Sequence, residues 1–540
     1  MAFDQHSYDV NSREVGSFRK LPQLWEEDDS GNKSMATDRL CFSTNYHQVE
    51  QQQLKDFHTL DALFLDNTSS FRSYEHQMQE LANIESQYSE LIKPKTNPKS
   101  TQETPNQDAV RYEVSGRKLS TDAVIRLGGE RFIQSCSSSM NDISMPSHPY
   151  GTSFSGFSDQ EARDIELIQN LLLSAEKVTQ RQFQRSSKLL DWCDAISSSS
   201  GNPIQRLVHY YSKALREKIA SESGIISSHG PGKNHVDNIE GRMMTPNPTT
   251  VSIYQKLPFF QAGQFSGVQA LVDAVAGATE VHIIDLSIKH GAQCIILMQA
   301  LLSQPNCPIE HLKITAVGTN FKEKIEQTGI RLKSFAESIN LSFSFNMAMV
   351  GDMLNFKEDL LELDPEEALG VYSSYGLWGM IAQPDRLESL MKVIKNINPR
   401  VMVVSEVSAN LNSPNFVNRF IEGLFFHGAF FDALEDCMDR EDENRAITES
   451  QYLGEGIWSI MATEGAQRVV RHVNIHVWRK FFSRFGMKET ELSMSSLYQA
   501  YLMAEKIPCG SSCTFDMDGE CLIIGWKGSP IQCLSAWKFS

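Results

Sequence analysis

An acid that closes a short apolar run stands where a buried parallel strand would present a carboxylate to a ligand, and the run Val281, His282, Ile283, Ile284, Asp285 has that form. Adenosyl-cofactor chemistry at such a place needs a glycine-rich turn after the first strand, so that backbone can approach the cofactor. It also needs an acid after the second strand to hold ribose hydroxyls. After Asp285 the chain reads Leu-Ser-Ile-Lys-His-Gly291, with a single glycine, and after Val317 it reads Gly-Thr-Asn320, with no acid. Both elements are degraded, so no catalytic residue and no cofactor is expected. Asp285 reads as a relic of a cofactor site or, preferably, as a local cap that fixes the loop after it. His282, inside the apolar run, reads as a satisfied core histidine rather than a ligand.

Two other groupings invite chemistry. His472 and His476 are four apart, as are Cys509 and Cys513, and zinc could gather two histidines with two thiolates. Paired cysteine ligands usually sit closer in sequence and no further ligand cluster supports them, so no metal is expected. The segment 468–488 carries Arg468, Arg471, Arg479, Lys480, Arg484 and Lys488 interleaved with Trp478, Phe481 and Phe482. Arg471, Arg479 and Lys480 are its candidates for phosphate contact. The same pattern is that of an amphipathic helix with aromatics inward and charges in water, which is the preferred reading. The acidic stretch Asp432 to Glu443 reads as an exposed, solvated loop that would repel DNA. No serine or cysteine lies in a nucleophile motif.

These residues need a scaffold, and periodicity supplies one. Ser158-Asp-Gln-Glu161 is a capping box, after which Ile168, Leu171, Leu172, Ala175 and Val178 mark a helical face. Asn202-Pro203 restarts a helix with the stripe Ile204, Leu207, Val208, Tyr211 and Leu215. A polar Gly/Asn/Pro-rich linker, roughly 224–250, sets this helical cap apart from the downstream region. From 281 strands and helices alternate: strands at 281–285, 312–317, 343–349, 368–372 and 401–404, with helices at 293–302 and 325–339. Alternation of this kind implies a doubly wound α/β sheet. Cys513 to Met517 and Cys521 to Trp526, joined around Asp518-Gly519, read as an antiparallel hairpin, with a further strand at 531–537. A parallel sheet closed by an antiparallel hairpin is the layout of Rossmann-like methyltransferases.

Composition bounds the remainder. The chain has 540 residues and a net charge of -17, which argues against a surface coated in phosphate-binding groups while leaving room for a local basic patch. No stretch approaches the roughly 18 apolar residues of a membrane span, and Met1 to Lys20 lacks the apolar core of a signal peptide, so an intracellular protein with its ten cysteines as thiols is expected. Residues 1–157, rich in Ser, Gln, Asn and Asp, are expected to be largely disordered. Within them Phe18-Arg-Lys-Leu-Pro-Gln-Leu-Trp25 and the spacing of Phe71, Tyr74, Met78, Leu81, Tyr88 and Leu91 suggest short docking or helical islands.

The motifs, taken in order, resemble those of the plant GRAS family. Val281 to Asp285 matches the family's central VHIID motif, and Asn202 to Leu207 with its flanking helices is similar to the first leucine-rich region. Residues 327–361 correspond to the second leucine-rich region. Pro399, Asn412 to Phe416, Arg419-Phe420 and Phe430 to Asp432 resemble the PFYRE region. Gly525-Trp-Lys-Gly528 and Ser535, Ala536 and Trp537 resemble the closing SAW signature. The resemblance implies a domain over 158–540: a cap at 158–223, a central region at 251–316, the second leucine-rich region at 327–361, PFYRE at 366–460 and SAW at 461–540. It implies a non-enzymatic nuclear transcriptional regulator, in plant development or signalling, whose partners are DNA-binding transcription factors and other GRAS proteins in homo- or heterodimers. Leu171, Leu172 and Leu207 are then candidates for partner contact. The alternatives are a direct sequence-specific DNA binder and a methyltransferase-like small-molecule binder. Cys294 stands where many members have tryptophan. The acidic N-terminal motif of the DELLA subfamily is absent from residues 1–156, so a non-DELLA member is implied.

Overall fold

The computed structural model describes residues 119–138, 157–224, 241–244, 246–304 and 309–540. The expectations for the islands at 18–25 and 71–91 lie outside the described residues. Helix α1 (Thr121–Ser138) comes first. It corrects the expectation that folded structure starts at Ser158. Val124, Ile125 and Phe132 form one buried stripe, short enough to be diluted by the polar composition around it.

The cap comes next as α2 (Asp159–Thr179), α3 (Phe183–Ile196) and α4 (Pro203–Glu222). Ser158 and Glu161 form the expected capping box, and Asn202 with Gln205 forms another ahead of Pro203. α5 (Pro248–Lys256) and α6 (Pro258–Ala274) lead into the sheet. Its first half is β1 (Glu280–Asp285), α7 (Ala292–Leu302), β2 (His311–Gly318), α8 (Lys322–Ser338), β3 (Phe343–Met349), β4 (Ala368–Ser374), α9 (Pro384–Ile397) and β5 (Val401–Val407).

Then come α10 (Phe416–Cys437), the short α11 (Glu443–Ile447), a π-helical turn at Thr448–Leu453, α12 (Gly454–Ala462) and α13 (Ile475–Ser483). The chain closes with β6 (Met487–Thr490), α14 (Met494–Glu505), β7 (Cys513–Asp518), β8 (Cys521–Trp526) and β9 (Ser529–Phe539). No helix among the described residues is long and apolar enough to cross a membrane.

The strands form one sheet in the order β3-β2-β1-β4-β5-β9-β8-β7, with β6 paired to β9. The first five are parallel and β9, β8 and β7 antiparallel, so the fold is the expected Rossmann-like sheet with a C-terminal hairpin. The two-residue loop of that hairpin is Gly519-Glu520 rather than Asp518-Gly519. Asp518 still pairs with Cys521, and the positive φ of 58° falls on the glycine.

Two further expectations are corrected by long-range packing. The cap is not a module set apart: Leu171 and Leu207 share one core cluster with Phe420 and Phe431 of α10 and with sheet residues such as Ile283 and Val403. Arg206 of α4 is buried between Glu435 and Glu449, which also take Arg445, so ion pairs lock the same joint. The polar linker marked a long connection, and the chain returns at α10 to cover the cap's apolar face. Asp432 to Glu443, read as a solvated acidic loop, is mostly helix. Asp432 is buried, accepting from Thr121 Oγ1 at 2.7 Å and from Trp526 Nε1 at 2.9 Å.

Candidate functional site

The carboxyl end of β1 is where an α/β sheet ordinarily receives a ligand. Asp285 is buried there, and its two oxygens are engaged locally: Oδ1 accepts the Ser287 amide at 2.8 Å and Oδ2 accepts Gln293 Nε2 at 2.8 Å. This is the local-cap reading, and it holds the loop between β1 and α7. Gly291 ends that loop at φ +81°, where a Cβ would also lie 2.8 Å from Thr328 Cγ2 on α8, so glycine is required on two counts. Burial pushes the Asp285 carboxyl up to about 6, against the hydrogen bonds from Gln293 and Ser287.

Lys289 Nζ reaches across to the Ser374 carbonyl at 2.9 Å and lies over the Tyr375 ring. Tyr375 Oη donates to Gln532 Oε1. Glu406, on β5, is buried, pushed up to about 7 by that burial, and accepts the Leu377 amide at 2.8 Å. The chain's own side chains therefore knit β1, β4, β5 and β9 together at this end. His282 is the satisfied core histidine expected: Nδ1 meets Glu367 at 3.0 Å and Nε2 meets Thr315 Oγ1 at 2.8 Å. Burial holds its imidazole down to about 4.

The motif residues at the other end of the chain are structural as well. Ser535 and Ala536 sit opposite Val404 and Val403 on β5, and the Trp537 indole donates to Ser535 Oγ at 2.9 Å while packing on Phe482.

Leu171, Leu172 and Leu207 are fully buried, which corrects their candidacy as partner contacts. An amphipathic stripe shows that a helix face is covered, not by what, and here α10 covers it. The basic candidates divide. Arg471 is buried, donating to Asn412 Oδ1 at 2.8 Å and the Gly465 carbonyl at 2.7 Å. Arg479 is paired with Glu489 at 2.8 Å and Asp518 at 2.7 Å. Lys480 alone of the three is exposed. Trp478, Phe481 and Phe482 are core, as the amphipathic reading has it. The four zinc candidates are not brought together: Cys509 is paired with Cys437, correcting the all-thiol expectation, and His476 faces Asp518.

What the sequence reading missed is the edge of the sheet at β3. Large apolar side chains stand open on the elements next to it: Ile330 on α8 is 55% exposed, and Leu360 and Leu363, in and just past the 3₁₀ turn Glu358–Leu361, are exposed as well. α8 and the 3₁₀ turn Glu358–Leu361 both pack against β3, which among the described residues pairs only with β2. Exposed Glu358, Asp359, Glu362 and Asp364 are interleaved with these leucines. Exposed leucines set among acids, as Leu360 and Leu363 are, suit contact with an amphipathic, basic protein surface. The signal was present in the sequence as Lys-Glu-Asp-Leu-Leu-Glu-Leu-Asp, from 357 to 364, where leucines alternate with charge without building a buried helical stripe.

Comparison with known proteins agrees with the architecture. A family model described as the GRAS domain family matches residues 167–538. DELLA protein 2 of Medicago truncatula is 28% identical over 387 residues, covering 71% of this chain and 69% of that protein. DELLA protein RGA of Arabidopsis thaliana is 26% identical over 387 residues, covering 71% of this chain and 63% of that protein. The chain thus matches about two thirds of the length of these relatives. The solved structure of SCL7 from Oryza sativa superposes with a TM-score of 0.61 at 22% identity, over 69% of this chain and 99% of that one, and so shares its fold. With its motifs in order, its sheet topology and a family model spanning most of its length, the chain belongs to the GRAS domain family.

Proposed function

We propose that this protein is a non-enzymatic transcriptional regulator of the plant nucleus, acting in development or signalling by docking DNA-binding proteins on the acid-rimmed leucine edge around β3. The observation that carries the reading is that Ile330, Leu360 and Leu363 are exposed next to this edge while Leu171, Leu172 and Leu207 of the cap are buried. A partner built to bind DNA carries basic surface, and Glu358, Asp359, Glu362 and Asp364 complement it. The net charge of -17 and the internal pairing of Arg471 and Arg479 favour reaching DNA through the partner. We place the chain outside the DELLA subfamily, on the absence of that subfamily's acidic motif from residues 1–156. The engagement of both Asp285 oxygens by the protein itself supports the non-catalytic reading.

The test is co-purification from plant nuclei of the wild-type chain and of a variant carrying Ile330→Asp, Leu360→Asp and Leu363→Asp. Salt-sensitive association with DNA-binding proteins should be present in the first and lost in the second. Association that survives these substitutions would move the docking site elsewhere. Tight, sequence-selective binding of duplex DNA by the purified wild-type chain would replace the adaptor reading with direct recognition.

A further inference from the structure

Cys437 and Cys509 are 72 residues apart in sequence and joined in space, with Cα atoms 5.9 Å apart. Cys437 is the last residue of α10, and Cys509 lies in the turn between α14 and β7. Both are only half-buried. Among the other cysteines, Cys193, Cys294, Cys513, Cys521 and Cys533 are free and buried. Burial pushes the thiols of Cys193 and Cys513 up to about 12 and those of Cys294 and Cys521 well above their ordinary range, so these sulfurs are poor nucleophiles.

The pair bridges a joint that polar contacts already mark. In the last turns of α10, Asp432 and Asp436 hold Lys527 at 2.6 and 2.8 Å, and Asp432 also accepts from the Trp526 indole of β8. The C-terminal hairpin is thereby fastened to α10 by one carboxylate pair and, through the turn before β7, by one sulfur pair. β7 is the edge of the sheet opposite β3, so this joint is remote from the leucine edge.

We propose that Cys437 and Cys509 form a reversible redox-modification site whose oxidation clamps the C-terminal hairpin to α10. The oxidant class is a hydroperoxide. One thiolate attacks the peroxide oxygen, forming an S–O bond as the O–O bond breaks and the alcohol or water leaves with a proton. The second sulfur attacks the sulfenic sulfur, forming the S–S bond as water departs. Two thiols lose two electrons in total and the peroxide gains them. A small dithiol reverses the step by exchange. The inference does not rest on the docking reading.

The test uses the full chain, reduced with dithiothreitol, desalted, titrated with hydrogen peroxide, alkylated and mapped by mass spectrometry without reduction. A peptide pair linked through Cys437 and Cys509 should appear first and vanish on renewed reduction. Hydrogen exchange across 509–518 should slow by roughly tenfold on oxidation in the wild type. It should be insensitive to peroxide in both Cys437→Ser and Cys509→Ser, each checked for native thermal unfolding, with Cys437→Ala as the substitute if either serine variant misfolds. Linkage of Cys437 or Cys509 to any other cysteine, peroxide modification elsewhere before this pair closes, or a closed pair with unchanged exchange would overturn the proposal.

Discussion

Asp432 shows how far one residue's role can lie from its local sequence. Next to Glu435 and Asp436 it looks like the start of an acidic surface run, yet it joins α1, α10 and β8 through Thr121, Trp526 and Lys527. Asp432→Ala should leave a buried indole N–H and a hydroxyl unpaired and cost about 3 kcal/mol in urea unfolding, whereas an exposed acid such as Glu358→Ala should cost less than about 0.5 kcal/mol. Equal costs would show that the joint is not structural.

The buried titratable groups make a second prediction at this scale. Burial holds His282, His290 and His427 down to about 4 and His472 down to about 3, so each stays neutral in the fold while its unfolded counterpart protonates near 6.5. Their contribution is fully present above about pH 6.5 and is lost as pH falls toward the folded values. Asp285 and Glu406 act oppositely, because their raised folded values let the native state take up protons first. Four imidazoles outweigh two carboxyls, so the unfolded chain gains about two more protons, and stability should fall by roughly 2–3 kcal/mol per pH unit between about 6 and 5. A urea midpoint at pH 5.5 equal to or above that at pH 7.5 would show that the histidines are not held neutral.

At this scale the local roles were legible and the distant ones were not. Asp285 bonds to Ser287 and Gln293 just after it, and the sequence reading found it as a cap. Arg471 and Arg479 bond to Asn412 and Asp518, 59 and 39 residues away, and nothing beside them in the chain announces those partners.

Among the elements, strands and capped helices were read well because their signals are local. The capping boxes at Ser158 and Asn202 and the apolar run before Asp285 each fix an element within a few residues. Helix α1 was hidden because its stripe of Val124, Ile125 and Phe132 is brief and its covering elements, α2 and α10, come later in the chain. The leucines of two stretches differ for the same reason: α10 returns to bury Leu171 and Leu207, while Leu360 and Leu363, beside the edge strand β3, stay in solvent. Leu207→Ala should therefore destabilise the fold by about 2–5 kcal/mol, and Ile330→Asp should change stability by less than about 1 kcal/mol while weakening partner capture. Thermal unfolding of the two variants, with capture measured on the same preparations, checks both halves. A stable Leu207→Ala that loses the partner would return the docking site to the cap.

For the whole molecule, the sheet order places the leucine edge at β3 and the redox joint at β7, with the locked carboxyl end of β1, β4 and β5 between them. On the proposed docking reading, an acidic chain so arranged would reach chromatin through the partners it holds. Sequencing the DNA bound by the tagged full chain in plant nuclei tests this most directly, comparing the wild type, the Ile330→Asp/Leu360→Asp/Leu363→Asp variant and Lys480→Ala. Docking through the leucine edge predicts occupied sites for the wild type and for Lys480→Ala, and their loss in the triple variant at equal nuclear abundance and unchanged thermal stability. Occupancy that survives the triple change and disappears with Lys480→Ala would contradict it.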